Sequence, residues 1–376
     1  MSYLTLVLLS AGSASRFTKD LQVKKQWLYI GDEPLWLYVA KRFQSFYDFS
    51  KIVIVSSKEE INYMKNFSDE FEYVVGGETR QDSLKNSLEF VQTEFVLVSD
   101  VARACVTKQM IDELVSSKDG AECVVPVLDV ADSVVYHDNS IDRDKVKLVQ
   151  TPQLSNTSFL KKALEQKEVF TDDSSAVKNI GGRVVYVKGD IFAKKITTIA
   201  DLEMLPCLKA PKEEVFVGNG FDVHAFCKNK DMYLGGVKID SEFGFEAHSD
   251  GDVAIHAMID SLLGAIGAGD IGELFPDSSE EFKDIDSKEL LIRVVKFIKS
   301  VGYEIVQSDV TILAEYPRLS KYKKQMRKVL ANILGVSTLR VNVKATTTEK
   351  LGFVGRKEGV AVIVTSTIKI YGWKRI

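Results

Sequence analysis

The chain has 376 residues, 45% apolar and 27% charged, which is the composition of a packed globular protein. At roughly 150 residues per domain the length suggests two or three domains. Its 49 Lys and Arg against 53 Asp and Glu leave a net charge of −4, which argues against broad binding to nucleic acid or an anionic membrane. Four scattered cysteines (Cys105, Cys123, Cys207, Cys227) without a CxxC pair argue against a thiolate zinc site and against a disulfide framework.

The N-terminal run LTLVLL is short, lacks a basic leader and breaks into Gly, Ser and Arg. It reads as a buried strand rather than a signal peptide, and no segment reaches about 18 uninterrupted apolar residues. The chain is therefore expected in the cytoplasm, with no membrane partner. Strand-like segments follow at Leu4–Ser10, Lys51–Ser56, Glu72–Val75, Phe95–Ser99, Glu122–Val127 and Val184–Val187, with helical patterns such as Leu35–Phe46 and Asp82–Val91 between them. This alternation predicts an α/β domain over 1–205 with a mostly parallel sheet. LPCLKAPKEE, with two prolines and a charge cluster, marks 206–214 as a linker. Residues 215–376 read as an α+β domain: helices Asp252–Ala265, Ser287–Ser300 and Leu319–Leu334, and strands Glu304–Ala314, Leu339–Thr346 and Gly359–Ile370.

SAGSASRF (Ser10–Phe17) follows the first strand and precedes Lys24 and Lys25. Small residues let backbone N–H groups approach phosphate oxygens, and Arg16 and Lys25 add positive charge. A tight βα turn with surface cations explains the same residues equally well. The segment is neither GxxxxGK[ST] nor GxGxxG, so a P-loop is unsupported and a dinucleotide site weakly supported. In GGETRQDSLKNSL, Ser83 and Asn86 fall at a helix start, where free N–H groups can meet a polar ligand. Asp100 ends a strand, where a carboxylate can hold Mg²⁺ on a nucleoside triphosphate or simply cap a helix.

In the second half, Asp222 and His224 stand two apart in GFDVHAF, on one face of a strand, and His256 lies in a helix. Two nitrogens and one carboxylate make a three-ligand zinc set with an open fourth position. Histidines satisfied by hydrogen bonds are the alternative, weakened by three His and an Asp gathered in so short a span. KATTTEKLGF offers Thr hydroxyls and Glu349 past a strand, as partners for phosphate and a hard cation or as a T-x-x-E helix cap.

Across 1–205, the words SAGSASRF, KKQW, GGETRQDS, SDVARA, VLDVADSV, IDRDKVKLVQTPQ, FTDDSSAV and KKITTIADL resemble 2-C-methyl-D-erythritol 4-phosphate cytidylyltransferases. The resemblance implies a dimer with an exchanged arm, in which Arg16 and Lys25 stabilise charge at the α-phosphate of CTP and Ser83 helps select cytosine. It places Asp100 by metal and ribose. Arg143 of a neighbouring chain and Thr171 then hold the methylerythritol phosphate, with Thr151 and Lys195 completing the pocket. Four positions depart from the family pattern: Lys24, Ala104 and Ile199 stand where Pro is usual, and Ser99 where His is usual.

Residues 215–376, through DVHAF, AHSDGDVAIHA, GDIGELFPD and KATTTEKLGF, resemble 2-C-methyl-D-erythritol 2,4-cyclodiphosphate synthases. This implies a homotrimer with Zn²⁺ on Asp222, His224 and His256, and Mg²⁺ or Mn²⁺ on Glu349. His248 and Ser249 meet the diphosphate, while Asp270, Gly272 and Asp277 hold the methylerythritol hydroxyls. Thr347 and the Ala314–Leu319 loop take the CMP portion, and Phe353 and Arg356 lie towards the trimer axis.

Together the halves predict a bifunctional isoprenoid-precursor enzyme. One site transfers CMP from CTP to methylerythritol phosphate; the other cyclises the phosphorylated product and expels CMP. A kinase must act between the steps, by transient association at most. Dimer and trimer contacts together suggest a hexamer. The competing reading is another sugar-phosphate nucleotidyltransferase carrying a non-catalytic zinc-binding assembly module.

Overall fold

The computed structural model describes residues 4–12, 22–166, 168–247, 249–276 and 285–375. It divides into two compact units, residues 1–211 with 373–376, and residues 212–372. The division falls inside the segment 206–214. Two bonds tie the start of that segment to the first unit: the Tyr38 hydroxyl donates to Cys207 O at 2.7 Å and Gly31 N–H to Lys209 O at 3.3 Å. Contrary to the expectation for scattered cysteines, Cys207 is also disulfide-bonded to Cys105, 102 residues away in sequence. The chain's last residues group with the first unit, where the Trp373 indole donates to Tyr29 O at 2.7 Å.

The first unit is built on an eight-stranded sheet. Its strands are β1 (Leu4–Leu9), β2 (Lys51–Ser56), β3 (Glu72–Val75), β4 (Phe95–Asp100), β5 (Cys123–Asp129), β6 (Lys147–Val149), β7 (Gln153–Asn156) and β8 (Val184–Lys188). Their order is β6-β5-β7-β4-β1-β2-β3, with β8 beside β5; the β1, β2, β3 and β4 pairings and β5–β8 are parallel, while β6 and β7 run antiparallel to their neighbours. The continuous apolar runs LTLVLL and FVLV are buried because helices cover both faces of a parallel sheet. The carboxyl ends of β1 and β4 and the turn after β3 open on one crevice, the place where such sheets bind ligands.

The second unit has a five-stranded sheet of β9 (Val215–Lys228), β10 (Phe243–Phe245), β11 (Tyr303–Leu313), β12 (Val341–Thr346) and β13 (Gly359–Ile370), in the order β10-β9-β13-β11-β12. Only β11–β12 is parallel among these pairings. The helix Val253–Ala265 is apolar nearly all round and packs on β9 and β13. It approaches β9 closely because Gly218 and Gly220 face it: a Cβ on Gly220 would stand 1.9 Å from Ala257 O. Strand alternation then puts Asp222 and His224 on this same helix-facing side. The opposite side of β9 exposes Val215, Val217, Phe221 and Val223.

Candidate active sites

In the first unit a cavity of about 470 Å³ opens among Ser10–Gly12, Lys25, Gly77, Arg80, Asp100 and Lys195. Its floor depends on close packing: a Cβ on Gly76 would meet Ala11 Cβ at 2.5 Å. Thr79 and Asp82 cap the helix Arg80–Leu88 reciprocally, which starts it two residues before the predicted bound and points Arg80 inward. Ser83 lines the cavity and accepts a bond from Gly77 N–H at 3.1 Å, whereas Asn86 turns away to Val75 O at 3.1 Å.

Cations converge on Asp100. Lys195 Nζ donates to its Oδ2 at 2.8 Å, and Arg80 Nε lies 3.6 Å from Oδ1. Burial works against the charge on Asp100, but Lys195 and Arg80 outweigh it and hold the carboxyl below its ordinary range. Arg80 also pairs with the buried Asp173 at 2.8 Å; burial opposes its charge, and Asp173 and Asp100 overcome this and raise its pKa. Arg80 and Asp173 lie within quoted sequence words yet were not singled out; an arginine at the first helical position after a Gly-Gly turn was the available signal. Lys25 Nζ donates to Ile196 O at 2.7 Å.

Thr151 is buried beneath the site, its hydroxyl accepting from Asp100 N–H at 3.4 Å. Thr171 bonds Asp172 at 3.3 Å, and Arg143 sits on an exposed arm with its guanidinium on Ala131 O at 2.5 Å; none of these three lines the cavity within one chain. Arg16, His248 and Asp277 lie outside the described residues.

In the second unit Asp222, His224 and His256 bring one ligand atom each within 4.8 Å of one another. Asp222 Oδ2 faces His224 Nε2 at 3.1 Å and His256 Nδ1 at 3.4 Å. That oxygen is buried and has no well-formed hydrogen bond. The outer nitrogens are committed elsewhere. His224 Nδ1 lies 2.9 Å from Gly251 O, a pure acceptor, so it carries the proton. Ser287 donates its hydroxyl to Asp250 Oδ1 at 2.5 Å, so its oxygen accepts from His256 Nε2 at 3.0 Å. In the neutral imidazoles both inner nitrogens are then lone pairs facing the same carboxylate oxygen, while without a cation, and against the pull of burial, Asp222 favours the protonated form of His224. Two imidazole nitrogens and a carboxylate oxygen converging in a half-buried place fit a divalent cation, with outer hydrogen bonds orienting each ring. Ser287 was not singled out in the sequence, where it reads as part of a helix start.

Asp270 caps the turn Ile271–Leu274 by accepting Glu273 N–H at 2.9 Å, and Gly272 lies in that turn. Asp260, one helical turn after His256, accepts Ile271 N–H at 2.9 Å and fixes the turn beside the helix. Burial raises its carboxyl pKa, with Asp270 and Asp222 adding to the effect. Ser249 Oγ lies 3.5 Å from His256 Nε2.

The T-x-x-E helix cap does not form. Thr346 ends β12, and the next helical turn begins only at Gly352. Glu349 and Lys350 instead take positive φ of 52° and 64°, in a turn held by Glu315, whose carboxylate accepts from Lys350 N–H at 2.9 Å. Glu349 accepts from the Thr347 hydroxyl at 3.2 Å. Phe353 is exposed, and Arg356 pairs with Glu358 at 2.8 Å.

A nucleotide-sized cavity at the strand ends of an α/β sheet in one unit, and a half-buried His₂Asp cluster in the other, define an enzyme with two distinct sites. Residues 4–206 match the family model of 2-C-methyl-D-erythritol 4-phosphate cytidylyltransferase, and residues 215–369 that of the YgbB family. The chain is 55% identical over 371 residues to the bifunctional enzyme IspD/IspF of Aliarcobacter butzleri, covering 99% of both chains. It is 52% identical to that of Campylobacter concisus, again over 99% of both. The solved structure of bifunctional IspDF from Campylobacter jejuni superposes with a TM-score of 0.88 at 46% identity, covering 100% of both chains. The chain belongs to the bifunctional IspD/IspF family: it is both a methylerythritol phosphate cytidylyltransferase and a methylerythritol cyclodiphosphate synthase of the non-mevalonate pathway. No helix among the described residues is long and apolar enough to cross a membrane.

Proposed function

We propose that the cavity of the first unit is the transfer site and that the His₂Asp cluster of the second is the cyclisation site, each complete only in an oligomer. In transfer, a phosphate oxygen of methylerythritol phosphate attacks the α-phosphorus of CTP. The bond to the leaving diphosphate breaks, and its electrons go to the diphosphate oxygen. The nucleophile is already anionic, so positioning and charge stabilisation suffice without a strong base. Lys25, Lys195 and Arg16 supply that stabilisation, Ser83 and the Gly76–Gly77 turn meet the base, and Asp100 holds Lys195 in place. Because Asp100 is committed to Lys195, Mg²⁺ or Mn²⁺ enters with the nucleotide phosphates rather than in a protein cage.

Arg143, Thr151 and Thr171 complete the acceptor pocket, with Arg143 reaching a neighbouring chain. The arm supports this: the hairpin Val134–Tyr136 and Asn139–Ile141 exposes Val135 and Tyr136, 64% and 65% accessible.

In cyclisation, the 2-phosphate attacks the β-phosphorus, the bond to the CMP phosphate breaks, and CMP leaves. Asp222, His224 and His256 would hold Zn²⁺, and Glu349 a Mg²⁺ or Mn²⁺. When bound, these ions supply Lewis acidity and charge neutralisation at the phosphates. His248 and Ser249 orient the diphosphate, Asp270, Gly272 and Asp277 fix the hydroxyls, and Thr347 with the Ala314–Leu319 loop positions the nucleotide. Bringing the two substrate ends together lowers the entropic barrier. The exposed apolar side of β9, with Phe353 and Arg356, supports a trimer; arm-mediated pairing of two trimers closes a six-chain particle. The intervening phosphorylation belongs to a separate kinase in the cytoplasm.

The observation that carries this reading is the convergence of two imidazole nitrogens on one buried Asp222 oxygen. Dialysis of the full chain against a strong chelator tests it: CMP release is expected to fall and to return with Zn²⁺, while diphosphate release from CTP with Mg²⁺ stays unchanged. Full cyclase activity in metal-free protein would overturn it.

A further inference from the structure

Glu60 is a carboxylate with only 1% of its surface exposed, yet it does not line the nucleotide cavity. A buried carboxylate is costly unless ion-paired and hydrogen-bonded. Its partners come from the two sides of Lys25. Lys24 forms an ion pair with Oε1, and the Gln26 amide donates to Oε2 at 3.2 Å. The Ser56 hydroxyl, at the end of β2, donates to Oε2 at 3.0 Å. The next residue, Trp27, stacks on Tyr63 at 5.2 Å between ring centroids, and Tyr63 lies one turn from Glu60 on the helix Lys58–Lys65.

We propose that Glu60 is a positioning residue for cytidylyl transfer: by clamping Lys24 and Gln26 it fixes the turn that presents the Lys25 ammonium to the cavity. The inference rests on the reading of Lys25 as a phosphate-facing cation. It also accounts for the departure at Lys24. That residue has φ −75° and ψ 139°, within the range a proline ring enforces. The backbone shape that proline would impose covalently is held here by an ion pair to a buried acid. Two neighbours bound to one carboxylate leave Lys25 a narrow choice of direction, and its Nζ reaches Ile196 O beside Lys195.

The test is a double-mutant cycle in the full chain, reading diphosphate release from CTP, with CMP release by the second unit as the measure of intact protein. Glu60→Gln is expected to lower kcat for transfer by ~10–100-fold, the range a small misplacement costs, with cyclisation unchanged. In a Lys25→Ala background, the same substitution is expected to cost less than about twofold further, because coupled residues are not additive. Ser56→Ala, a milder loss at the same carboxylate, follows the same background dependence if Glu60→Gln folds poorly. Equal fold losses in both backgrounds, or no loss from Glu60→Gln, would overturn the clamp while leaving the role of Lys25 intact. A Lys25→Ala variant with full transfer activity would overturn both.

Discussion

Lys195 and Asp100 stand 95 residues apart in sequence and meet at 2.8 Å on the wall of the nucleotide cavity. In the proposed transfer site the pair would place a lysine where the leaving diphosphate is neutralised, and it holds the buried Asp100 carboxyl below its ordinary range. Removing one preorganised charge donor typically costs 10²–10³-fold in rate. Lys195→Ala is therefore expected to lower diphosphate release from CTP by about that factor, with CMP release by the second unit unchanged. Steady-state assay of both products checks it.

Asp201 ties down the chain on either side of Lys195. Its carboxylate accepts Thr197 N–H and Thr198 N–H, both at 2.8 Å, and pairs with Lys194 at 2.7 Å. Loss of such a cap costs about 1 kcal/mol, so Asp201→Ala should lower the melting temperature of the first unit and slow transfer together. Burial opposes its charge, but the Lys194 and backbone bonds outweigh it and depress the pKa far below the usual range. The stability it contributes is thus complete above the unfolded value of about 3.9 and lost as pH falls through the folded value. Acid titration of wild type and Asp201→Ala should converge at low pH and separate above it.

Gly220 sets the distance between β9 and the helix bearing His256. Its replacement by Ala would put a Cβ 1.9 Å from Ala257 O, against backbone that cannot rotate away. Gly220→Ala is expected to destabilise the second unit by ~1–3 kcal/mol and to reduce zinc content by separating His256 from Asp222 and His224. Gly264→Ala, on the same helix with nothing within 4 Å of the added carbon, is the control and should be neutral or slightly stabilising. Calorimetry and metal analysis distinguish the two.

If each cyclisation site joins a zinc half from one chain to a nucleotide half from its neighbour, two dead variants should complement. His256→Ala and Glu349→Ala are each expected to be inactive in cyclisation and to recover partial activity once mixed and allowed to exchange subunits. Light scattering should give a mass near six chains.

Much of this was legible in the residues. The helices 35–46 and 287–300 and the strands 51–56 and 72–75 keep their predicted bounds, because apolar runs and periodic stripes decide them locally. The helix predicted from Leu319 starts at Lys323 instead, after a turn that follows the cis Tyr316–Pro317 bond. The Asp222, His224 and His256 cluster was readable since i, i+2 spacing on a strand and a nearby helical His carry their own geometry. What escaped depends on partners distant in sequence. The Cys105–Cys207 pairing needs the linker to fold back, Arg80 becomes a site residue only against Asp173 and Asp100, and Ser287 only against Asp250 and His256. Glu60 looks like one more helix acid until Lys24 and Gln26 are seen to share it.

The claim that the two reactions run at separate sites of one chain is tested most directly by assaying a single preparation of Asp222→Asn for both products. The substitution keeps the size of the side chain but removes the charge facing His224 and His256. CMP release in cyclisation should fall by two or more orders of magnitude along with bound zinc, while diphosphate release from CTP and methylerythritol phosphate stays at the wild-type rate. Loss of both activities together in a folded protein, or retention of cyclisation without zinc, would contradict the account.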